Sequence, residues 1–384
     1  MKSDALGKVI FAVAIILTVI GLIFIYTGSS YFCTVSGKPP YYLFIKQLIT
    51  FFLSLFACYG TYRFFDYKKL KNKRWLWFVY GLTVFILISV LILGKEVNGA
   101  RSWIKIGGVS LQPAEFAKVT LIIFVAGYLE RKWYEIENNI SVFAGFMFFV
   151  FFPIFLILAE KDLGSAMIVF ISIFAMIFIT GFRLTYIFTP LAIGTLMFVL
   201  AVITAPYRIA RIRMLFDPFA FYKAPGKNDS YQLVQSLVSF AKGGITGVGI
   251  GQGQQKLAFL PLAFSDFIYA HIGEEGGFIM AVIVLLLFFA ILVVGLMIAD
   301  KTDDKLGKFL SLGLTLYIFL EALVHIGVNI GVVPTTGITL PFVSQGGTSL
   351  ISMYIAVGLL MSIARSLPEK SRVSFEKIEQ GNYK

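Results

Sequence analysis

The chain holds 384 residues, 58% of them hydrophobic and 14% charged, with 40 phenylalanines and a mean hydropathy of +0.85. A soluble domain carries about 25% charged residues, and a soluble monomer does not expose so much apolar surface, so a water-soluble fold is excluded and an integral membrane protein is indicated. Lys and Arg outnumber Asp and Glu by 33 to 21, a bias that in a soluble protein would suggest nucleic acid and here depends on where the charges sit.

Each bilayer crossing takes about 20 apolar residues, which leaves room for roughly ten helices and no large soluble domain. Apolar stretches with few charges fall at about 9–27, 44–62, 75–93, 113–129, 142–158, 166–182, 184–203, 267–298, 309–330 and 350–364. They predict an all-α integral membrane protein of about ten transmembrane helices, one polytopic domain over 1–365, and a polar, disordered tail over 366–384. The first stretch follows Lys2 and Lys8 like a signal peptide, but it is long and no small-residue cleavage site follows it, so it is expected to remain as a span. Cys33 and Cys58 form neither a disulfide framework nor a metal cluster.

Basic residues in short loops mark the cytoplasmic side. The connection Arg63 to Arg74 reads RFFDYKKLKNKR, with six basic residues against one acid, and Arg365, Lys370, Arg372, Lys377 and Lys384 follow the last stretch. Both termini are therefore expected in the cytoplasm, which an even helix count permits. The loops 130–139, around Arg183 and 300–308 then also fall inside.

One connection stands apart. Residues 205–265, between the seventh and eighth predicted helices, form a long loop on the outer side, and long patterned loops usually carry function. Tyr207, Arg208, Arg211 and Arg213 lead into Phe216, Asp217 and Pro218, a helix-to-turn signature. In Tyr231 to Lys242, Leu233, Val234, Leu237 and Val238 form an apolar stripe beside Gln232, Gln235, Ser236 and Ser239, spacing that suits a short interfacial helix. A glycine-rich stretch, GGITGVGIGQGQQ, precedes LAFLPLAFSDF. Seven basic residues (Arg208, Arg211, Arg213, Lys223, Lys227, Lys242, Lys256) face only Asp217 and Asp229. That bias fits anionic lipid headgroups, or a binding surface for a lipid-linked phosphate or pyrophosphate, whose oxygens guanidinium forks match.

Asp266 ends this basic loop and starts the eighth predicted helix. Its type suits an N-cap, and equally a carboxylate base at the membrane surface. Deeper in the helix lie His271, Glu274 and Glu275, and charges there normally face a cavity or partner. At 100° per residue, Glu274 falls closer than Glu275 to the face of Asp266. The ninth helix carries Glu321, His325 and Asn329 at i, i+4 and i+8, a polar stripe consistent with satisfied buried contacts or a lined cavity. Glu115 and Lys118 stand three apart in the fourth helix as a candidate ion pair, behind a first-turn Pro113. Glu160, Lys161 and Asp162 make a short outward turn. Gly331 to Leu350, which includes Ser344, is rich in Pro, Gly and hydroxyls, and irregular backbone at membrane depth has to be buried or line a cavity. The GVGIGQG string lacks the strand and helix that a dinucleotide loop needs, and no Cys and His spacing makes a zinc site.

GVSLQPAEFAK (Gly108 to Lys118), DLGS (Asp162 to Ser165), the YR..R....DP element from Tyr207 to Pro218, QQKLAFLPLAFSDFIYAHIGEEGG (Gln254 to Gly277) and Gly331 to Leu350 together resemble the motifs of the SEDS proteins of shape, elongation, division and sporulation. The resemblance runs through nearly all ten helices in order. PTTGITLPFVS.GG is more similar to the division and sporulation branch, FtsW and its relatives, than to the elongation branch, RodA. The resemblance implies a peptidoglycan glycosyltransferase that polymerises lipid II at the outer face of the bacterial cytoplasmic membrane, releases undecaprenyl pyrophosphate and serves septal wall synthesis. Implied partners are a class B penicillin-binding transpeptidase and other divisome or elongasome membrane proteins.

The family's essential acid falls on Asp266. Arg208, Arg211 and Lys256 are the candidate cations for pyrophosphate, with a divalent cation, Mg or Mn, as a possible companion and no metal-ligating residue assigned. Gln232, Ser236, Lys118, Glu115, Glu274, His325, Asn329 and Ser344 are the further candidates for substrate contact. The chain departs from the family pattern at Leu262 and Phe264 (usually Glu and His), Lys161 (Pro), His325 (Gln) and Gln345 (Tyr). A lipid II flippase, with Glu274, Glu321 and His325 along its path, and a noncatalytic scaffold for a transpeptidase remain open alternatives.

Overall fold

A computed structural model describes residues 3–97, 100–106, 109–182, 184–219, 229–257 and 259–367. Arg183, Lys223, Lys227 and residues 368–384 of the expected tail lie outside the described residues. The chain is a helical, multi-pass membrane protein. Its helices are α1 (Ser3–Val35), α2 (Tyr42–Phe64), α3 (Lys73–Leu93), α4 (Pro113–Asn138), α5 (Ile140–Ala159), α6 (Leu163–Ile179), α7 (Leu184–Ile203), α8 (Pro206–Phe216), α9 (Asp229–Gly243), α10 (Ile268–Lys301), α11 (Lys305–Asn329) and α12 (Gly347–Arg365).

Each of the ten expected stretches overlaps one helix, with 166–182 running past the end of α6 at Ile179. Eight of these helices, α1, α2, α3, α5, α7, α10, α11 and α12, are long and apolar enough to cross a membrane. α6 has 17 residues and α4 carries Glu115, Lys118, Glu130, Arg131 and Lys132, so length and composition alone do not count these two.

Burial sorts the helices. α11 and α12 bury 78% and 83% of their apolar stretch, against 17% for α7 and 22% for α2. α11 lies against α4, α6, α9 and α10, while α12 lies against α1, α2 and α4. The outer helices present their phenylalanines outward, as Phe56, Phe85 and Phe188 do, because lipid tails solvate apolar side chains as well as a core would. A small residue lets α2 approach the inner helix α12: a Cβ on Gly358 would lie 1.9 Å from Thr61 Oγ1 and 2.6 Å from the Cys58 carbonyl oxygen.

The connections gather at two ends. At one, Tyr67 of the 3₁₀ turn Tyr67–Lys71 bonds to Ser366 at 3.0 Å, Lys71 pairs with Asp304 at 2.5 Å, and Trp133 packs on Phe182 and Phe309. At the other, Gln112 donates to Asp162 at 3.0 Å, Arg101 N donates to the Glu160 carbonyl at 3.1 Å, and Arg211 donates to the Thr335 carbonyl at 3.0 Å. A small antiparallel sheet sits at that second end, β1 (Lys95–Val97), β2 (Ala100–Ile106) and β3 (Val109–Leu111) in that order, with Ile104 opposite Leu111 and Lys105 opposite Ser110. The all-α expectation omitted it. The dipeptides at 98–99 and 107–108, Asn-Gly and Gly-Gly, are hairpin signals.

Glu160 stands out at the α5–α6 turn. It is fully buried, and neither carboxylate oxygen has a hydrogen-bond partner. Burial, with the Asp162 charge adding to it, pushes its pKa up to about 8. The folded protein thus holds a proton there that the unfolded chain releases near pH 4. This favours the fold below the unfolded pKa and is lost as pH rises through about 8. Glu160→Gln keeps the neutral shape. It is expected to leave the melting temperature nearly unchanged near pH 5 and to raise it at pH 9 by several degrees, from on the order of 3 kcal/mol. Equal effects at both pH values, measured by a thermal shift assay in detergent, would contradict the assignment.

Candidate active site

The segment between α9 and α10 is built around a broken helix. Gly277 takes φ 69° and ψ −174° inside α10, so the helical bonds from Phe278 N–H to the Glu274 carbonyl and from Ile279 N–H to the Glu275 carbonyl are not made. The glycine-rich loop replaces both. Val248 and Gly249 donate to the Glu274 and Glu275 carbonyls at 3.0 Å each, and Phe278 and Ile279 donate to the Gly244 and Ile245 carbonyls at 2.9 and 3.2 Å. No side chain fits between the two backbones: a Cβ on Gly277 would lie 2.2 Å from Gly247 N, and one on Gly243 would lie 1.9 Å from the Gly273 carbonyl oxygen.

The carboxylates of α10 complete this junction. Glu274 accepts from Gln254 N–H at 2.8 Å and Gln255 N–H at 3.1 Å. Glu275 accepts from Gly251 N–H at 2.9 Å and pairs with Lys256 at 2.6 Å, while Lys256 also donates to the Gly251 carbonyl. Glu274 is therefore committed to loop amides rather than to the face of Asp266. The helical wheel that related them does not apply, because Asp266 lies before the helix, which begins at Ile268. Lys256, expected as a cation for substrate, has its charge compensated by Glu275 of α10.

The loop delivers Asp266 to the start of α10. Phe267 is the N-cap residue and supplies no side-chain cap, so Asp266 does not cap the helix. Its half-buried carboxylate accepts one hydrogen bond, from Ser265 Oγ at 3.1 Å. Burial raises its pKa from the ordinary aspartate value, against the pull of the Ser265 hydroxyl and the Arg211 charge.

The backbone of this segment is gripped from α11 and the α11–α12 loop. Ser344 Oγ donates to the Ser265 carbonyl at 2.7 Å, Gln345 N–H donates to the Phe264 carbonyl at 3.0 Å, and Asn329 Nδ2 donates to the Asp266 carbonyl at 3.1 Å. Asn329 and Ser344, expected to contact substrate, hold the chain that carries Asp266.

α8 brings two cations to the same end. Arg208 and Arg211 stand 5.3 and 5.7 Å from the centre of the Tyr207 ring, and Arg208 donates to the Ala201 carbonyl at 2.6 Å. The polar side of α9 faces protein rather than water. The helix packs on α10 and α11 and buries Gln235, Ser236 and Ser239 together with Leu233 and Val234, because Ser236 Oγ bonds to the Asn329 carbonyl at 2.6 Å. Gln232 stays half-buried.

A second polar group lies inside the bundle. Lys118 is fully buried, 2.9 Å from both Glu115 and Glu321, which confirms the expected pair and adds a third member. One lysine is thus shared by two carboxylates, and removing a partner from such a buried group is strongly destabilising. His325 Nδ1 bonds to the Ile338 carbonyl at 2.9 Å, while its Nε2 and the hydroxyls of Thr335 and Thr336 have no partner. Among the described residues no three His, Cys, Asp or Glu side chains gather as metal ligands.

Residues 7–369 match the family model described as cell cycle protein, which joins FtsW, RodA and SpoVE. The chain belongs to this family. It is 35% identical over 360 residues to the probable peptidoglycan glycosyltransferase FtsW of Haemophilus influenzae, covering 93% of this chain and 89% of that one. It is also 35% identical over 371 residues to the stage V sporulation protein E of Bacillus subtilis, covering 95% and 98%. Among solved structures, one chain of a peptidoglycan synthase complex that coordinates polymerization and crosslinking superposes with a TM-score of 0.69 at 26% identity, covering 94% and 97%. RodA of Thermus thermophilus shares the fold, with a TM-score of 0.65 at 22% identity. Within the family pattern, Lys161 has φ 65°, which a proline ring forbids, so the departure from the family's proline goes with a different turn.

Gly277→Ala places a methyl group against the loop backbone at a φ that disfavours any side chain. It is expected to cost at least about 2 kcal/mol and to open the loop, giving faster proteolysis within 243–256 and weaker activity. Proteolysis at the parental rate would contradict the described junction.

Proposed function

We propose that this protein is a peptidoglycan glycosyltransferase of the FtsW branch, polymerising lipid II at the outer face of the cytoplasmic membrane for septal wall synthesis. Family membership with 35% identity to FtsW over most of both chains supports the activity. The observation that carries the site is the carboxylate of Asp266, which has no capping duty and stands within the electrostatic reach of Arg211. In this reading both termini and the Arg63–Arg74 loop face the cytoplasm, and the 205–265 segment faces outward.

The chemistry follows from that placement. The 4-hydroxyl of one lipid-linked disaccharide attacks the anomeric carbon of the growing strand. Asp266 takes the hydroxyl proton, the new glycosidic bond forms, and the bond to undecaprenyl pyrophosphate breaks with its electrons going to the leaving phosphate. A positioned base contributes about 10² to 10⁴ in rate. Arg208 and Arg211 stabilise the charge that develops on the pyrophosphate, and one displacement predicts inversion at the sugar. A divalent cation, if used, would arrive with the pyrophosphate, and no step is assigned to it. The unpartnered atoms of His325, Thr335 and Thr336 offer hydrogen bonds to polar substrate groups.

A class B penicillin-binding transpeptidase is the proposed partner, with other divisome or elongasome membrane proteins around the pair. The flippase reading loses support because Glu274 binds loop amides and Glu321 pairs with Lys118, rather than lining a path. Nucleic acid has no role in this reading.

The test is purified protein in detergent with labelled lipid II, with and without the transpeptidase. The parental protein is expected to make glycan chains, with activity falling as pH drops through the raised pKa of Asp266, since the base must be ionised. Asp266→Ala is expected to lower the rate at least about 10²-fold. Chains made by Asp266→Ala at the parental rate would refute the assignment. Lipid II crossing liposomes without any polymerisation would favour the flippase.

A further inference from the structure

Asp266 precedes a helix whose own N-cap residue, Phe267, offers no side-chain oxygen, so α10 needs a cap from elsewhere. Asn329, fully buried on α11, supplies it. Its Oδ1 accepts from Ala270 N–H at 3.0 Å, the bond that an N-cap Ser or Asp makes to the third helical residue. Its Nδ2 donates to the Asp266 carbonyl at 3.1 Å and to the His325 carbonyl at 2.9 Å, and its own carbonyl accepts from Ser236 at 2.6 Å. A single side-chain amide thus satisfies the Ala270 donor in the first turn of α10 and fixes the backbone of Asp266, with α9 holding it in turn.

We propose that Asn329 is a positioning residue for the glycosyl-transfer base: by capping α10 from α11 it keeps the Asp266 carboxylate out of the helix's amide end and available to the incoming hydroxyl. This rests on the assignment of Asp266 as base. Without Asn329 the Ala270 amide is left buried and unpaired, which is costly. Asp266, of the residue type most suited to capping, stands one position before the N-cap. A carboxylate turned onto helix amides is stabilised in its ionised form and is a weaker, misdirected base. Arg211 on α8 is the charged side chain that acts on this carboxylate, and Ser265 its hydrogen-bond donor. Neither changes in the variant.

The experiment is the pH–rate profile of lipid II polymerisation by the full chain with its transpeptidase, for Asn329→Ala beside the parental protein and Asp266→Ala. Asn329→Ala is expected to lower kcat about tenfold or more while KM changes less than about twofold. The acid limb is expected to move down by about half a pH unit or more. A loss confined to melting temperature, or a lower kcat with the acid limb in place, would overturn the positioning role. If Asn329→Ala does not fold, Asn329→Asp keeps the acceptor for Ala270 and puts negative charge near the base, so its acid limb is expected at or above the parental one, and a lower limb overturns the proposal. Asp266→Ala keeps the two ideas separable. If it polymerises at the parental rate, the base assignment fails, whereas if it is inactive and Asn329→Ala keeps both kcat and the acid limb, only the positioning role fails.

Discussion

Backbone amides and carbonyls cannot be left unpaired where water is scarce, and the break in α10 makes that constraint acute. Ending the helical ladder at Gly277 would strand two donors and two acceptors. The glycine-rich loop supplies the replacements one for one, so the helix break and the loop exist only together. Glycine at 243, 247 and 277 is the condition for two backbones to meet without a side chain between them.

The acids of the protein divide according to what holds them. Glu274 and Glu275 face the amides of the loop and Lys256, and they fasten the junction. Glu115 and Glu321 share Lys118, tying α4 to α11 in the centre of the bundle. Glu160 is buried without a partner and is neutralised by a proton. Of these acids, Asp266 is the one that combines partial exposure and a single side-chain hydrogen bond with the nearby charge of Arg211. That contrast, more than its residue type, separates a reacting carboxylate from structural ones.

Much of the fold was legible because a membrane imposes long apolar stretches, and each of the ten expected stretches overlaps a helix. The sheet at β1–β3 was missed because three short strands leave no periodicity that competes with the helices around them. The site was legible in part. Asp266, Arg208 and Arg211 were marked by type and by position in a basic loop, and Glu115 with Lys118 by their spacing. The roles of Glu274, Lys256 and Asn329 were not accessible, since each depends on a partner distant in sequence, such as the pairing of Asn329 with Ala270. The amphipathic pattern of α9 misled for a related reason: its serines and Gln235 face α10 and α11, where Ser236 bonds to a carbonyl rather than to water.

The claim on which the rest depends is that the glycine-rich loop is locked into the break in α10 and so fixes the segment bearing Asp266. Hydrogen–deuterium exchange of the purified protein, followed by mass spectrometry over residues 243–256, measures this most directly. Slow exchange at Val248, Gly249, Gly251, Gly253, Gln254 and Gln255, comparable with the helices beside them, is predicted. Exchange across the whole stretch at the rate of an exposed coil would contradict it.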